Sequence, residues 1–281
     1  MPELHIAGKS ISAADNANLL DTLLAAGLAI PYSCRAGSCH ACMVRCTQGE
    51  PLDEKPNALS AEQRNQGWRL ACQCRIRGDL TLEVFDPQRD GIPARIHSLD
   101  WPAADILRLR LLPARPLRYS AGQHLLLWTA NGVARTYSLA SLPGVDEWLE
   151  FHINCRQSGA FSNQARQLHA GDSLSLGELH TGALHYDPEW QDRPLLLLAA
   201  GTGLAPLWSL LREALRQAHQ GPIHLLHVSR DPASHYLAGE LQALAAMHPN
   251  LQIELVVHAE LTAALANLQL ASRQTIALVC G

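Results

Sequence analysis

Apolar and polar positions alternate with different periods along these 281 residues, and the change of period divides the chain into three parts. The first part opens with a short predicted strand, Leu4 to Ala7. A helix follows, with Asp15 as its predicted N-cap, Leu19, Leu20, Leu23 and Leu24 on one face, and Gly27 ending it. Met43 to Cys46 reads as a strand, the next residues are polar and rich in Pro, Asn and Glu, and Asp79 to Val84 alternates as a last strand. The polar, turn-rich stretch Asp86 to Gly91 is a joint. Beyond it, Ile106 to Leu112, His124 to Trp128, Trp148 to Ile153 and Ser173 to Leu176 are short β-type runs separated by turn residues, which predicts a small antiparallel barrel over 92–190. From about residue 192 the pattern becomes α/β. Pro194 to Ala200 is an unbroken apolar run, as in a parallel strand buried on both faces. A Gly-rich turn, a helix from Leu207 to His219 and strands at Ile223 to Val228, Ile253 to Val257 and Thr275 to Val279 complete it.

The hydrophobic content of 47% supplies ample core, and the length suits two or three domains. With 17% charged residues and a net charge of −4, no basic patch recommends nucleic acid or an anionic membrane, whereas mild acidity suits a basic partner protein. The longest apolar run, Leu195 to Leu211, is broken by Gly201, Gly203 and Pro206, so it reads as a buried strand and helix and not as a membrane span. The N-terminus lacks a charged segment followed by an apolar one, so the expected location is cytoplasmic. In that reducing compartment the eight cysteines read as ligands and free thiols.

Four of them, Cys34, Cys39, Cys42 and Cys72, have the spacing C-x4-C-x2-C-x29-C, the thiolate pattern of a plant-type 2Fe-2S cluster. Two irons need four thiolates; a tight loop supplies three, and the fourth arrives from elsewhere in the fold. Gly37 allows positive φ, and the small residues Ala36, Ser38 and Ala41 leave backbone N–H groups free to point at sulfur. A zinc site is the competing reading, but zinc ribbons pair two C-x2-C knuckles and only Cys39 and Cys42 have that spacing. Cys74 competes for the fourth place. Trp68 to Gln73 resembles the segment that carries the last ligand in plant-type ferredoxin domains, which selects Cys72; the order of elements over residues 1–88 likewise resembles their β-grasp.

Arg135-Thr136-Tyr137-Ser138 resembles the R-x-Y-S motif of the ferredoxin-NADP reductase family. That resemblance implies FAD, with Arg135 on its pyrophosphate, Tyr137 against the isoalloxazine and ribityl chain, and Ser138 near N5. Gly159 and Ser162 match the family's G-x-x-S phosphate turn, with Phe161 and Asn163 beside it. One departure stands at Gly177-Glu178, where the family has Gly-Pro. Gly201-Thr202-Gly203-Leu204-Ala205-Pro206 resembles the turn that cradles the NAD(P) pyrophosphate. Arg230 falls where adenosine ribose contacts are made; the neighbouring Asp231 would repel a 2′-phosphate, which favours NADH over NADPH. Cys280-Gly281 begins the family's C-G-P-P motif, which brings a cysteine to the nicotinamide, and the sequence stops there: either the chain is truncated or it is a natural variant with a more open site.

The three parts together resemble the reductase components of benzoate dioxygenase and methane monooxygenase. The resemblance implies a ferredoxin domain over 1–88, an FAD-binding barrel over 92–190 and an NAD(P)-binding α/β domain over 192–281. It also implies a monomeric NADH-dependent iron-sulfur flavoprotein oxidoreductase, with Ser138 and Cys280 at the reacting atoms. Electrons would pass from NADH through FAD and the cluster to an acceptor protein, an oxygenase component. A non-catalytic electron-transfer or redox-sensing subunit, and a reductase for another acceptor such as a deoxysugar dehydrase, remain as alternatives. His40, between two cluster ligands, is the one histidine expected to tune the cluster.

Overall fold

The structure, a computed structural model, describes residues 1–268 and 274–281. The chain separates into two compact units, Met1–Pro93 with Leu126–Thr136 and Leu174–His180, and Ala94–Leu125 with Tyr137–Ser173 and Thr181–Gly281.

The first unit is built on a five-stranded sheet ordered Lys9–Ser12, Glu3–Ile6, Leu80–Val84, Met43–Gln48 and Trp68–Leu70. Alternation in Glu3–Ile6 turns Leu4 and Ile6 into the core, and the strand runs parallel to Leu80–Val84, with Leu4 opposite Leu80. Its hairpin partner Lys9–Ser12 has no apolar alternation, so the sequence pattern did not disclose it. Helix Leu19–Ala25 buries Leu19, Leu20 and Leu23 completely, each contributing roughly 1.5–3 kcal/mol. Its cap is Asn18, not the expected Asp15. Asn16 takes φ 64° and turns the chain, so the helix starts later, and the Asn18 side chain accepts from the Asp21 N–H at 3.1 Å. Gly27 ends the helix as expected, at φ 76°, its N–H donating to the Leu24 carbonyl. Beside this sheet the unit contains most of three further strands, Ala134–Ser138, His124–Trp128 and Ser173–His180, in that order.

In the second unit, Ile106–Pro113 lies between Ile92–Ala103 and Leu149–Asn154, antiparallel to both. The twelve-residue strand Ile92–Ala103 escaped the sequence reading because Pro93 and Pro102 interrupt it and its register shifts twice. The remainder of the unit is a four-stranded parallel sheet ordered Leu251–Val257, Ile223–Ser229, Leu195–Ala200 and Ile276–Cys280. Leu197 of the central strand stands opposite both Leu225 and Leu278, which explains the unbroken apolar run. The following helix is Leu204–Arg216, three residues earlier than expected. Pro206 falls in its first turn, where its missing N–H costs no hydrogen bond. Helix Ala238–Met247 was not anticipated, since Leu241 is its only buried residue and no apolar stripe marks it. Among the described residues no helix is long and apolar enough to cross a membrane.

Candidate functional site

The cysteine loop in the first unit folds back through three left-handed residues, Arg35 at φ 52°, Gly37 at 80° and His40 at 55°. Gly37 has a second reason to be glycine: a Cβ there would stand 3.1 Å from the Gln73 side chain. The reversal aims backbone donors at sulfur. The N–H groups of Ala36 and Cys39 both donate to Cys34 Sγ at 3.3 Å, and the Cys34 N–H reaches Cys39 Sγ at 3.5 Å. Burial pushes the Cys34 thiol up, but hydrogen bonds from Ser38, Ala36 and Cys39 outweigh it and bring the pKa down to about 6.

Cys72 arrives on the turn Ala71–Gln73. A side-chain hydrogen bond with Cys42 lowers its pKa first; burial opposes this, and donors from Gln73 and the Gly37 backbone assist, for a value of about 6. Cys42, the other partner of that bond, is held well above its ordinary value by the same hydrogen bond and by burial. The four expected ligands therefore stand two and two, Cys34 with Cys39 and Cys42 with Cys72, the division a two-iron cluster requires. Cys74 is fully buried and desolvation drives its thiol upward, while Cys46 is pushed to about 11 by burial.

Gln73 is the residue the spacing did not single out. Its Nε2 donates to Cys72 Sγ at 3.3 Å and to the Arg35 carbonyl at 2.9 Å, tying the distant ligand to the loop. Asn18 adds to this hold: its Nδ2 donates to the Cys72 carbonyl at 3.0 Å. Lys55 fixes the other side of the loop through the Ala36 carbonyl at 3.1 Å. His40 makes a 3.1 Å contact with His180 through the two Nδ1 atoms, and burial lowers its pKa.

Strand Ala134–Ser138 carries the R-x-Y-S residues. Arg135 is exposed, and its guanidinium donates to the Ala134 carbonyl at 2.8 Å and meets no carboxylate among the described residues, so it stays able to take a phosphate. Tyr137 and Ser138 are half-buried, and the Tyr137 ring meets Phe161 at 5.0 Å between centroids. Gly159 precedes the short helix Ala160–Ala165. Ser162 donates its hydroxyl proton to the Gln157 carbonyl at 2.7 Å, which leaves the backbone N–H groups of that turn as the open donors. Glu178, where the resemblance places a proline, lies inside strand Ser173–His180, a position at which proline would remove a donor.

In the second unit Gly201, Thr202 and Gly203 form one tight turn between the central parallel strand and helix Leu204–Arg216. Gly201 takes φ 52°, and a Cβ on Gly203 would run into the carbonyl of Cys280. The turn and the end of strand Ile276–Cys280 are thus as close as backbones allow, which brings Cys280 beside the glycines. A cleft of about 490 Å3 opens at this edge, lined by Gly201, Ser229, Arg230, Asp231, Asn154 and Arg156 among others. Pro206 is buried in the first helical turn behind it. Arg230 is held by Asp231 at 2.9 Å and Asp105 at 3.9 Å, so its charge is already matched. A larger cleft, about 1250 Å3 around residues 112–121, contains none of the expected site residues.

The sequence agrees with this geometry. Residues 4–77 match the 2Fe-2S iron-sulfur cluster binding domain, 102–186 the oxidoreductase FAD-binding domain and 197–281 the oxidoreductase NAD-binding domain. The chain is 35% identical over 257 residues to the ferredoxin–NAD(P)+ reductase component of the naphthalene 1,2-dioxygenase/salicylate 5-hydroxylase systems of a Ralstonia species, covering 88% of this chain and 76% of the relative. It is 29% identical over 266 residues to a CDP-6-deoxy-L-threo-D-glycero-4-hexulose-3-dehydrase reductase of Yersinia pseudotuberculosis, covering 91% and 79% of the two chains. Among solved structures, an Amycolatopsis cytochrome P450 reductase superposes with a TM-score of 0.59 at 29% identity over 92% of this chain and 81% of that one. The chain therefore belongs to the family of iron-sulfur flavoprotein NAD(P)H reductases that includes the naphthalene 1,2-dioxygenase reductase component.

Proposed function

We propose that the chain draws electrons from NADH and delivers them one at a time, through FAD and a 2Fe-2S cluster, to an oxygenase component in the cytoplasm. The reading comprises three domains: a β-grasp over 1–88, an antiparallel barrel over 92–190 and a parallel α/β domain over 192–281. The observation that carries it is the pairing of the four thiols two and two, with backbone and Gln73 donors already aimed at Cys34 and Cys72. FAD, when bound, would supply the change from paired to single electrons, and the cluster would supply one-electron transfer.

The chain's own residues bind and orient. Cys34, Cys39, Cys42 and Cys72 hold the cluster, and the N–H groups of the loop stabilise added negative charge on its sulfurs. The Arg135 guanidinium would take the flavin pyrophosphate, Gly159 and Ser162 would form a phosphate turn, Tyr137 would cover the ring and Ser138 would offer a hydroxyl to it. Gly201, Thr202 and Gly203 present backbone to the dinucleotide pyrophosphate ahead of a helix N-terminus, with Pro206 starting that helix, and Cys280 lies at the nicotinamide end. Arg230 is matched by Asp231 and Asp105, so its own guanidinium is not free for a 2′-phosphate, which supports NADH over NADPH. Eight unpaired cysteines suit a reducing compartment. A dehydrase is the alternative acceptor, on the strength of the Yersinia relative.

The test compares Cys72→Ser with Cys74→Ser in purified protein. Cys72→Ser loses the cluster's visible absorption and NADH-driven cytochrome c reduction, yet keeps NADH–ferricyanide turnover; Cys74→Ser keeps all three. The reverse pattern refutes the choice of ligand, and absence of turnover by wild-type protein carrying both groups refutes the enzyme.

A further inference from the structure

His227, on strand Ile223–Ser229 of the second unit, is completely buried. Its Nε2 lies 3.2 Å from the carbonyl oxygen of Gly201. A carbonyl only accepts, so Nε2 carries the proton and donates it, and Nδ1 of the neutral ring is a bare lone pair. Among the described residues no donor reaches that buried Nδ1. Leaving it bare is unfavourable, and an apolar side chain would fill the same space without it. A second ring proton would point at the same unpartnered place, so the ring stays neutral and in one tautomer. Burial first, then the neighbouring His235 and His152, bring its pKa down to about 4 against the Gly201 hydrogen bond. Two rings fix its orientation: His235 and Tyr236 each meet it edge to face at 5.3 Å between centroids. Both are anchored in turn. The Tyr236 hydroxyl meets His152 Nδ1 at 3.1 Å, and His235 Nε2 lies 3.1 Å from the carbonyls of His227 and Val256.

The hydrogen bond holds a peptide that could otherwise turn over. Gly201 stands at φ 52°, and glycine populates both signs of φ. The Leu204 N–H divides itself between the Gly201 and Thr202 carbonyls, whereas His227 Nε2 serves Gly201 alone. In a planar trans peptide the carbonyl and the following N–H point in opposite directions. With the Gly201 oxygen turned inward to the buried ring, the Thr202 N–H is turned away from the core. Reversed, the same peptide would present an oxygen to an anion.

We propose that His227 is a positioning residue for the nicotinamide dinucleotide, holding the Gly201 carbonyl inward so that the Thr202 N–H is presented to the pyrophosphate. This rests on the reading of Gly201–Gly203 as the pyrophosphate turn.

The test uses wild-type, His227→Gln and His227→Leu protein, each loaded with flavin and cluster. Binding of NAD+ and ADP-ribose is measured by calorimetry, and that of adenosine by competition with NADH. Glutamine places an amide N–H where Nε2 was; leucine has no donor. His227→Leu should bind NAD+ and ADP-ribose about tenfold more weakly, the effect of one hydrogen bond to a charged group, while adenosine, which has no phosphate, binds as in wild type. His227→Gln should regain most of the affinity. In NADH–ferricyanide turnover the loss in His227→Leu should fall on KM and not on kcat. Urea unfolding separates a merely structural role: His227→Leu should be at least as stable as His227→Gln, since the bare nitrogen is gone. His227→Asn, whose shorter amide stops short of Gly201, takes the place of His227→Leu in the binding measurements if that variant does not fold. The proposal is overturned if the donor-free variant binds NAD+ like wild type, if adenosine loses as much as ADP-ribose, if His227→Gln is as weak as the donor-free variant, or if affinity falls in the same order as stability. Wild-type protein that binds neither NAD+ nor ADP-ribose refutes the pyrophosphate reading of the turn itself, a different result from any of these.

Discussion

Glu150→Gln tests the buried network of the second unit. Glu150 sits on strand Leu149–Asn154 and is 7% exposed. Its two oxygens are taken by the Arg110 Nε at 2.7 Å and the His152 Nε2 at 3.0 Å, and His152 in turn meets the Tyr236 hydroxyl at 3.1 Å through Nδ1. Burial pushes the carboxyl up, but His152 and Arg110 together win and hold its pKa at about 2, against an ordinary 4.5. Because the folded value lies below the unfolded one, the carboxylate stabilises the fold fully above about pH 4.5 and loses that contribution as pH falls through about 2. A displacement of that size corresponds to roughly 3 kcal/mol at pH 7 and about half of it at pH 3. Urea unfolding of wild-type and Glu150→Gln protein, read by a probe of the second unit, should give that gap at pH 7 and a narrowing gap at pH 4 and 3. A gap that is absent at pH 7, or equally large at pH 3, refutes the reasoning.

Two further outcomes follow from the site. Gln73→Leu removes the 3.3 Å hydrogen bond to Cys72 Sγ, so a redox titration followed by electron paramagnetic resonance should find the cluster midpoint lower by about 30–60 mV while the flavin stays unchanged; an unaltered midpoint would mean that the donor is idle. Gly203→Ala drives a methyl into the backbone carbonyl of Cys280, which cannot rotate away, so the second unit should lose about 1–3 kcal/mol and the KM for NADH should rise, whereas Gly239→Ala, where nothing lies within 4 Å, should leave KM as it was.

The sequence by itself determined the chemistry wherever a residue type has one job at one spacing. The thiolate pattern of Cys34, Cys39, Cys42 and Cys72, the R-x-Y-S strand and the Gly201–Gly203 turn were legible because cofactor geometry restricts them residue by residue, and Leu195–Ala200 because a strand buried on both faces must be apolar throughout. What stayed hidden depends on partners remote in sequence. Strand Lys9–Ser12 exists through its pairing with Glu3–Ile6 and has no pattern of its own; Asn18 outcompetes Asp15 as a cap because Asn16 turns the chain first. Only the tertiary structure brought the Arg35 carbonyl onto Gln73 from 38 residues away, so that one side chain ties Cys72 to the loop, and brought Tyr236 onto His152 from 84 residues away. Local rules act through neighbours in the chain and are visible in order; burial and long-range hydrogen bonds are decided by which surfaces meet, and that information exists only once the chain has folded.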